Sequence, residues 1–156
     1  MPRDPFVEPG VETLLARATQ RARDAGWPYA GAVTPHEAWS LMQEAGARLI
    51  DTRTDAEYHW VGHVPDTLLI PWKRWPVGAP GEGFVETLTQ HHAKDELILL
   101  LCRSGVRSHH AATAAALAGF TRVFNVLEGF EGDSDERQHR GCLNGWRHNG
   151  LPWAQD

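Results

Sequence analysis

The feature that most constrains this chain is an unbroken apolar run, Leu97-Ile98-Leu99-Leu100-Leu101, entered from polar Lys94-Asp95-Glu96 and left at polar Cys102-Arg103-Ser104. A strand with no alternation leaves neither face for water, so the run predicts a strand buried on both sides, as in a parallel sheet layered by helices. The rest of the chain alternates in the way such a sheet needs. Leu14, Leu15, Ala18 and Ala22 fall at helical spacing within residues 11–25, and Gly26 and Pro28 end the pattern. That helix is expected to lie against the domain, with contact to a partner as the alternative. Thr34-Pro35-His36-Glu37 is a capping box with proline at the first helical position, and it opens a helix expected to run to about Ala45 and stop at Gly46.

Leu49-Ile50 forms the middle of a short strand ending in Asp51-Thr52-Arg53, and a second capping box, Thr54-Asp55-Ala56-Glu57, starts a helical turn through Trp60. Leu68-Leu69-Ile70 is a further strand cut by Pro71, followed by a proline- and glycine-marked loop over residues 73–83. Helices are expected over 84–92 and 108–118, the second closed by Gly119, and a last strand over 123–127. This order predicts an α/β fold with a mostly parallel central sheet and helices on both faces.

A length of 156 residues fits one such domain. The net charge of −5 argues against a nucleic-acid partner, and no apolar run is long enough to span a membrane. Two cysteines, Cys102 and Cys142, are too few for a disulfide framework. The segment Met1 to Gly10 carries Asp4, Glu8 and three prolines rather than a basic start and an apolar stretch, so a leader peptide is not expected. The chain therefore reads as cytoplasmic, where a thiol stays reduced.

The chemistry gathers in Cys102-Arg103-Ser104-Gly105-Val106-Arg107-Ser108, between the most buried strand and a helix. Ligand sites of parallel α/β folds lie outside the carboxyl ends of the strands. A helix amino terminus there offers unpaired N–H groups, and Gly105 lets successive amides curl into an anion nest. Arg103 and Arg107 add full positive charge. A cysteine in that field favours the thiolate, which is the nucleophilic form.

This segment resembles the active-site loop of the rhodanese family. Upstream, Leu49 to Arg53, Glu57-Tyr58, Gly62-His63-Val64-Pro65 and Ile70-Pro71 are similar to the family's first block in order and spacing. Downstream, Asn125 to Phe130 resembles the strand and glycine turn after the active-site helix, and Gly145-Trp146 through Gly150-Leu151-Pro152 resembles the family's ending. The likeness covers about residues 34–154 and implies a rhodanese-like domain over 34–156, preceded by an extension over 1–33 with a short helix. It implies a sulfurtransferase without a cofactor. Cys102 would take sulfane sulfur from an anionic donor such as thiosulfate and hold it as a persulfide. It would then yield the sulfur to cyanide, a small thiol or a protein thiol. Arg103 and Arg107 would bind the donor, and the amides of Ser104 to Ser108 would hold the outer sulfur. Asp51, Arg53 and His63 would support the loop and strand ends. A persulfide carrier with low turnover is the alternative. Phosphatase or arsenate reductase chemistry is the weaker one, because those loops are one residue longer than the six from Cys102 to Arg107.

The chain departs from the family pattern in a polar insertion at about residues 131–144. Asp133, Asp135, His139 and Cys142 within it match no zinc or calcium spacing, so no metal is expected. Cys142 is a candidate second thiol, able to accept sulfur from Cys102 if the insertion folds over the site. Trp72-Lys73-Arg74-Trp75 suits either core packing or an aromatic and basic wall facing an anion with an apolar part. His91-His92 and His109-His110 point apart on their helices and are expected to be solvated.

Overall fold

In the computed structural model, which describes residues 9–156, the apolar run becomes β4 (Ile98–Leu101), the middle strand of five. Asp4 and Glu8, on which the expectation about a leader peptide rests, lie outside the described residues. The remaining elements, in chain order, are α1 (Val11–Ala25), β1 (Gly31–Val33), α2 (Pro35–Glu44), β2 (Arg48–Asp51), a π-helical turn (Glu57–Val61), β3 (Leu68–Leu69), α3 (Phe84–His91), α4 (Val106–Leu117) and β5 (Val123–Val126). The sheet order is β1-β5-β4-β2-β3 and every strand pair is parallel. The expected α/β architecture is therefore present, with an all-parallel sheet.

All four β4 residues are fully buried, and they divide between two cores. Leu99 and Leu101 join Leu49, Val33 and Phe124 on the face covered by α1 and α2, where Trp146 also packs. Ile98 and Leu100 join Ile50 and Val123 on the opposite face, under Phe84 and Leu88 of α3 and Ala111, Ala112 and Ala115 of α4. Period-two alternation thus persists along the strand, but both faces are apolar because both are covered. Each such side chain contributes on the order of 1.5–3 kcal/mol on burial.

α1 lies against the sheet, with Leu14, Ala18 and Ala22 buried. Its contact with β1 is close: a side chain at Gly31 would meet the Ala18 carbonyl at 2.7 Å. Arg21 secures the helix by donating to the Ala32 carbonyl at 2.9 Å and pairing with Glu37 at 2.6 Å. Glu37 also completes the Thr34 capping box, as the sequence pattern predicts. Among the described residues no helix is long and apolar enough to cross a membrane.

α4 begins two residues earlier than its apolar pattern suggests. Its N-cap is Gly105, at φ 101°, which has no side chain to announce the position. Ser108, expected as the start of the helix, lies inside the first turn instead. β1 is likewise unannounced, since three small residues carry no periodic signal.

Candidate active site

β4 ends at Leu101, and the chain turns sharply so that Cys102 sits below the first turn of α4. The Gly105 N–H donates to the Cys102 Sγ at 3.0 Å, and the Ser108 hydroxyl lies 3.2 Å from the same sulfur. Ser108 also donates to Asn125 Oδ1 at 2.6 Å, while Asn125 Nδ2 donates to the Gly105 carbonyl at 3.2 Å. Asn125, buried on β5, thus ties the neighbouring strand to the middle of the loop and to its helical end. Sequence reasoning missed it; its one signal is a lone amide in an otherwise apolar strand, Val123-Phe124-Asn125-Val126.

The loop is also clamped from the turn after β5. Gly129, at φ 70°, presses so closely that a Cβ there would stand 2.5 Å from the Arg103 carbonyl carbon and the Ser104 nitrogen. The Phe130 N–H donates to the Cys102 carbonyl at 2.8 Å, and the Glu131 and Gly132 N–H groups both donate to the Arg103 carbonyl.

Arg103 and Arg107 border one cavity of about 530 Å³, together with Glu57, Lys73, Arg74 and Trp75. Arg107 is held by Glu57 through two hydrogen bonds of 2.7 and 2.9 Å. Burial alone would raise the Glu57 carboxyl, but the Arg107 guanidinium and the Thr54 donors outweigh it and hold the group down at about 2. Glu57 also closes the second capping box with Thr54, and the turn that follows is π-helical. A second cavity, about 300 Å³, opens on the other side of the loop between Ser104, Val106, Trp27 and His109. A further cavity, about 570 Å³, lies at the amino ends of β2 and β3 and contains no residue of the Cys102 loop.

Asp51 and Arg53 form a fully buried ion pair at 2.7 Å. Arg53 continues to the Gly62 carbonyl and lies over the Phe130 ring, whose own backbone binds Cys102. His63 stacks on Tyr58 with ring centroids 4.2 Å apart and pairs through its backbone with Ala154, away from the loop. Cys142 is exposed on the insertion, and both cysteines are free thiols. The insertion is organised by its own contacts: Asp135 accepts from the Arg137 and His139 amides, and Arg140 donates to the Gly132 carbonyl at 2.7 Å. Among the described residues no three His, Cys, Asp or Glu side chains converge as metal ligands. His109, expected to be solvated, instead bonds Tyr29 at 2.7 Å.

A cysteine bonded by an amide and set beside a hydroxyl at a helix amino terminus, beyond a central parallel strand, defines a cysteine-loop α/β protein. The family model described as "Rhodanese-like domain" matches residues 34–136. The chain belongs to the rhodanese-like family. It is 40% identical to Rv0390 from M. tuberculosis, whose crystal structure superposes with a TM-score of 0.72 over 82% of this chain and 99% of that one. An uncharacterized Rickettsia conorii protein, RC0915, is 32% identical over 72% of this chain and 87% of its own length. The thiosulfate sulfurtransferase GlpE of Actinobacillus pleuropneumoniae is 28% identical over 77% of this chain and 89% of its own.

Proposed function

We propose that the protein is a sulfurtransferase that moves sulfane sulfur from thiosulfate to a thiophilic acceptor through a persulfide on Cys102. The observation that carries this is the Cys102 sulfur itself, bonded by the Gly105 amide at 3.0 Å and beside the Ser108 hydroxyl at 3.2 Å. The kinship with a thiosulfate sulfurtransferase supports the choice of donor.

In the first step the Cys102 thiolate attacks the sulfane sulfur of thiosulfate. The S–S bond of the donor breaks and sulfite leaves with the electron pair. The outer sulfur then stands about 2.05 Å beyond Sγ, where the amides of Ser104 to Ser108 and the positive end of α4 can hold its charge. In the second step an acceptor such as cyanide bonds that sulfur and the pair returns to Sγ. Arg103 supplies an uncompensated cation for the donor, and Arg107, held by Glu57, stiffens the loop. The six-residue span from Cys102 to Arg107 suits a single sulfur better than a tetrahedral phosphate or arsenate. Asp51 and Arg53 act as positioning residues behind the loop, through Phe130.

Cys102→Ser tests the reading. Wild-type protein treated with thiosulfate is expected to gain the mass of one sulfur and to turn over thiosulfate with cyanide; the variant is expected to do neither. Turnover that survives the substitution removes Cys102 as the nucleophile.

A further inference from the structure

We infer that Asn125 is a positioning residue that holds the Ser108 hydroxyl proton away from Cys102 and so biases the loop toward the sulfur-loaded form. The inference rests on the persulfide reading and adds what sets the balance between loading and discharge.

A serine hydroxyl has one proton to give, and two acceptors stand beside that of Ser108. Asn125 Oδ1 is 2.6 Å from Ser108 Oγ, and Cys102 Sγ is 3.2 Å from it. The far end of the Asn125 amide fixes which way it points. Nδ2 donates to the Gly105 carbonyl at 3.2 Å, and a carbonyl can only accept, so the nitrogen belongs there and the oxygen faces Ser108. Oδ1 brings no proton of its own. With Ser108 fully buried and Asn125 only 3% exposed, two oxygens 2.6 Å apart are bonded only if the Ser108 proton lies between them. The hydroxyl therefore turns its lone pairs toward Cys102.

That direction suits one state of the sulfur and not another. A Cys102 thiol is satisfied, because its S–H donates to Ser108 Oγ while the Gly105 N–H donates to Sγ. A thiolate keeps the Gly105 amide but meets the Ser108 lone pairs. Drawing the Ser108 proton to the thiolate would strip Asn125 Oδ1 of its donor in a buried site, which is unfavourable. Once sulfur is loaded the opposition vanishes. The inner sulfur is then neutral and divalent, and the negative charge stands one S–S bond further out. The pair thus opposes an anion on Sγ and leaves the persulfide undisturbed. Attack of the thiolate on thiosulfate, with the electron pair of the donor S–S bond leaving on sulfite, is favoured. Return of an electron pair to Sγ, as an acceptor takes the outer sulfur, is opposed.

Charged and titratable groups surround the loop on several elements. They are Arg103 on the loop, the Arg107–Glu57 pair, the Asp51–Arg53 pair at the end of β2, His109 on α4 and Glu128 after β5. A neutral substitution at Asn125 alters none of these charges. A difference between that variant and wild type therefore reports the hydroxyl.

The test compares wild type with Asn125→Leu, a side chain of similar size without the amide, in which the Ser108 proton is free to bond the thiolate. Loading by thiosulfate and discharge by cyanide are timed separately by mass spectrometry. Alkylation of Cys102 by iodoacetamide is followed against pH by peptide mapping, which separates it from Cys142. The alkylation midpoint is expected to fall by about one pH unit in the variant, the effect of one hydrogen bond to a charged group. With a Brønsted slope of about 0.4–0.5, a sulfur anion stabilised that far attacks roughly threefold more slowly and leaves faster. Loading above the midpoint is therefore expected to slow about threefold while discharge accelerates. Simple damage to the loop would slow both steps, and that result with an unmoved midpoint overturns the inference. Within Ser108→Ala, which has no hydroxyl proton to release, adding Asn125→Leu is expected to leave the midpoint in place; a one-unit fall there also overturns it. Should Asn125→Leu fail to fold, the S–H stretching band of Cys102, identified by its loss in Cys102→Ser, decides the matter. That band is expected to rise in frequency in Ser108→Ala, and an unmoved band overturns the inference. Wild-type protein that never loads sulfur overturns the persulfide reading instead, because neither the midpoint nor the band depends on loading.

Discussion

Arg107 and Glu57 show how one side chain can serve both the stability of the fold and the field at the site. Their side chains are 24% and 21% exposed, so the pair is partly shielded from solvent. The Glu57 carboxyl, ordinarily at 4.5, is held at about 2 because Arg107 and Thr54 outweigh its burial. A carboxylate depressed on folding stabilises the native state fully above its unfolded value, and that contribution disappears as pH falls from about 4.5 towards 2. The shift corresponds to at most about 3 kcal/mol. Urea unfolding of wild type at pH 7 and pH 3 is expected to show this loss. Glu57→Gln is expected to be less stable at pH 7 and to vary less between the two pH values; an unchanged difference would show that the pair contributes nothing to stability. The sequence made Cys102 and its arginines legible because they are contiguous. It showed Glu57 as a capping residue and within the family-like block but not as the partner of Arg107, since that tie spans 50 positions and leaves no local pattern. Asn125, joined to Ser108 across 17 positions, was hidden for the same reason.

The elements reproduce their sequence patterns where a side chain or a period marks them. α1 ends at Gly26 in the left-handed conformation, and α2 opens on the Thr34 box. The patterns fail where the backbone alone decides: the start of α4 at Gly105, the π-helical turn after Thr54, and β1. The turn after β5 is the strongest such case, because Gly129 combines a positive φ of 70° with contact against the loop backbone. Gly129→Ala is expected to push this turn off Arg103 and Ser104, weakening the Phe130 and Glu131 amide bonds that hold the loop. The expected cost is about 1–3 kcal/mol of stability. Sulfur loading at Cys102 is expected to slow by roughly tenfold, the effect of about 1.4 kcal/mol on a barrier. Loading at the wild-type rate would show that the loop holds its shape without this clamp.

Across the whole molecule, α1 and β1 lie amino-terminal to the segment matched by the family model, yet they are built into the same core. Leu14 and Ala18 pack with Val33, Leu99 and Phe124, and Arg21 bridges to Ala32 and Glu37. The following residues reach the site as well. Trp27 stacks on Tyr29 at 5.6 Å, burial pushes the Tyr29 hydroxyl up to about 12, and that hydroxyl is hydrogen-bonded to His109 Nδ1 on α4. Burial and the neighbouring His110 push the His109 imidazole below its ordinary value, which favours the neutral ring. The extension thus braces the helix whose amino terminus faces Cys102. Leu14→Ala tests that arrangement without removing the segment. Leu14 is 3% exposed, and truncating a buried leucine costs about 2–5 kcal/mol. At roughly 2–4 °C per kcal/mol for a chain of this size, the melting temperature is expected to fall by about 5–15 °C. Because Leu14 lies on the face of the sheet opposite α4, sulfur loading well below the transition is expected to stay near the wild-type rate. A drop of less than about 2 °C would mean that α1 is an appendage rather than part of the core.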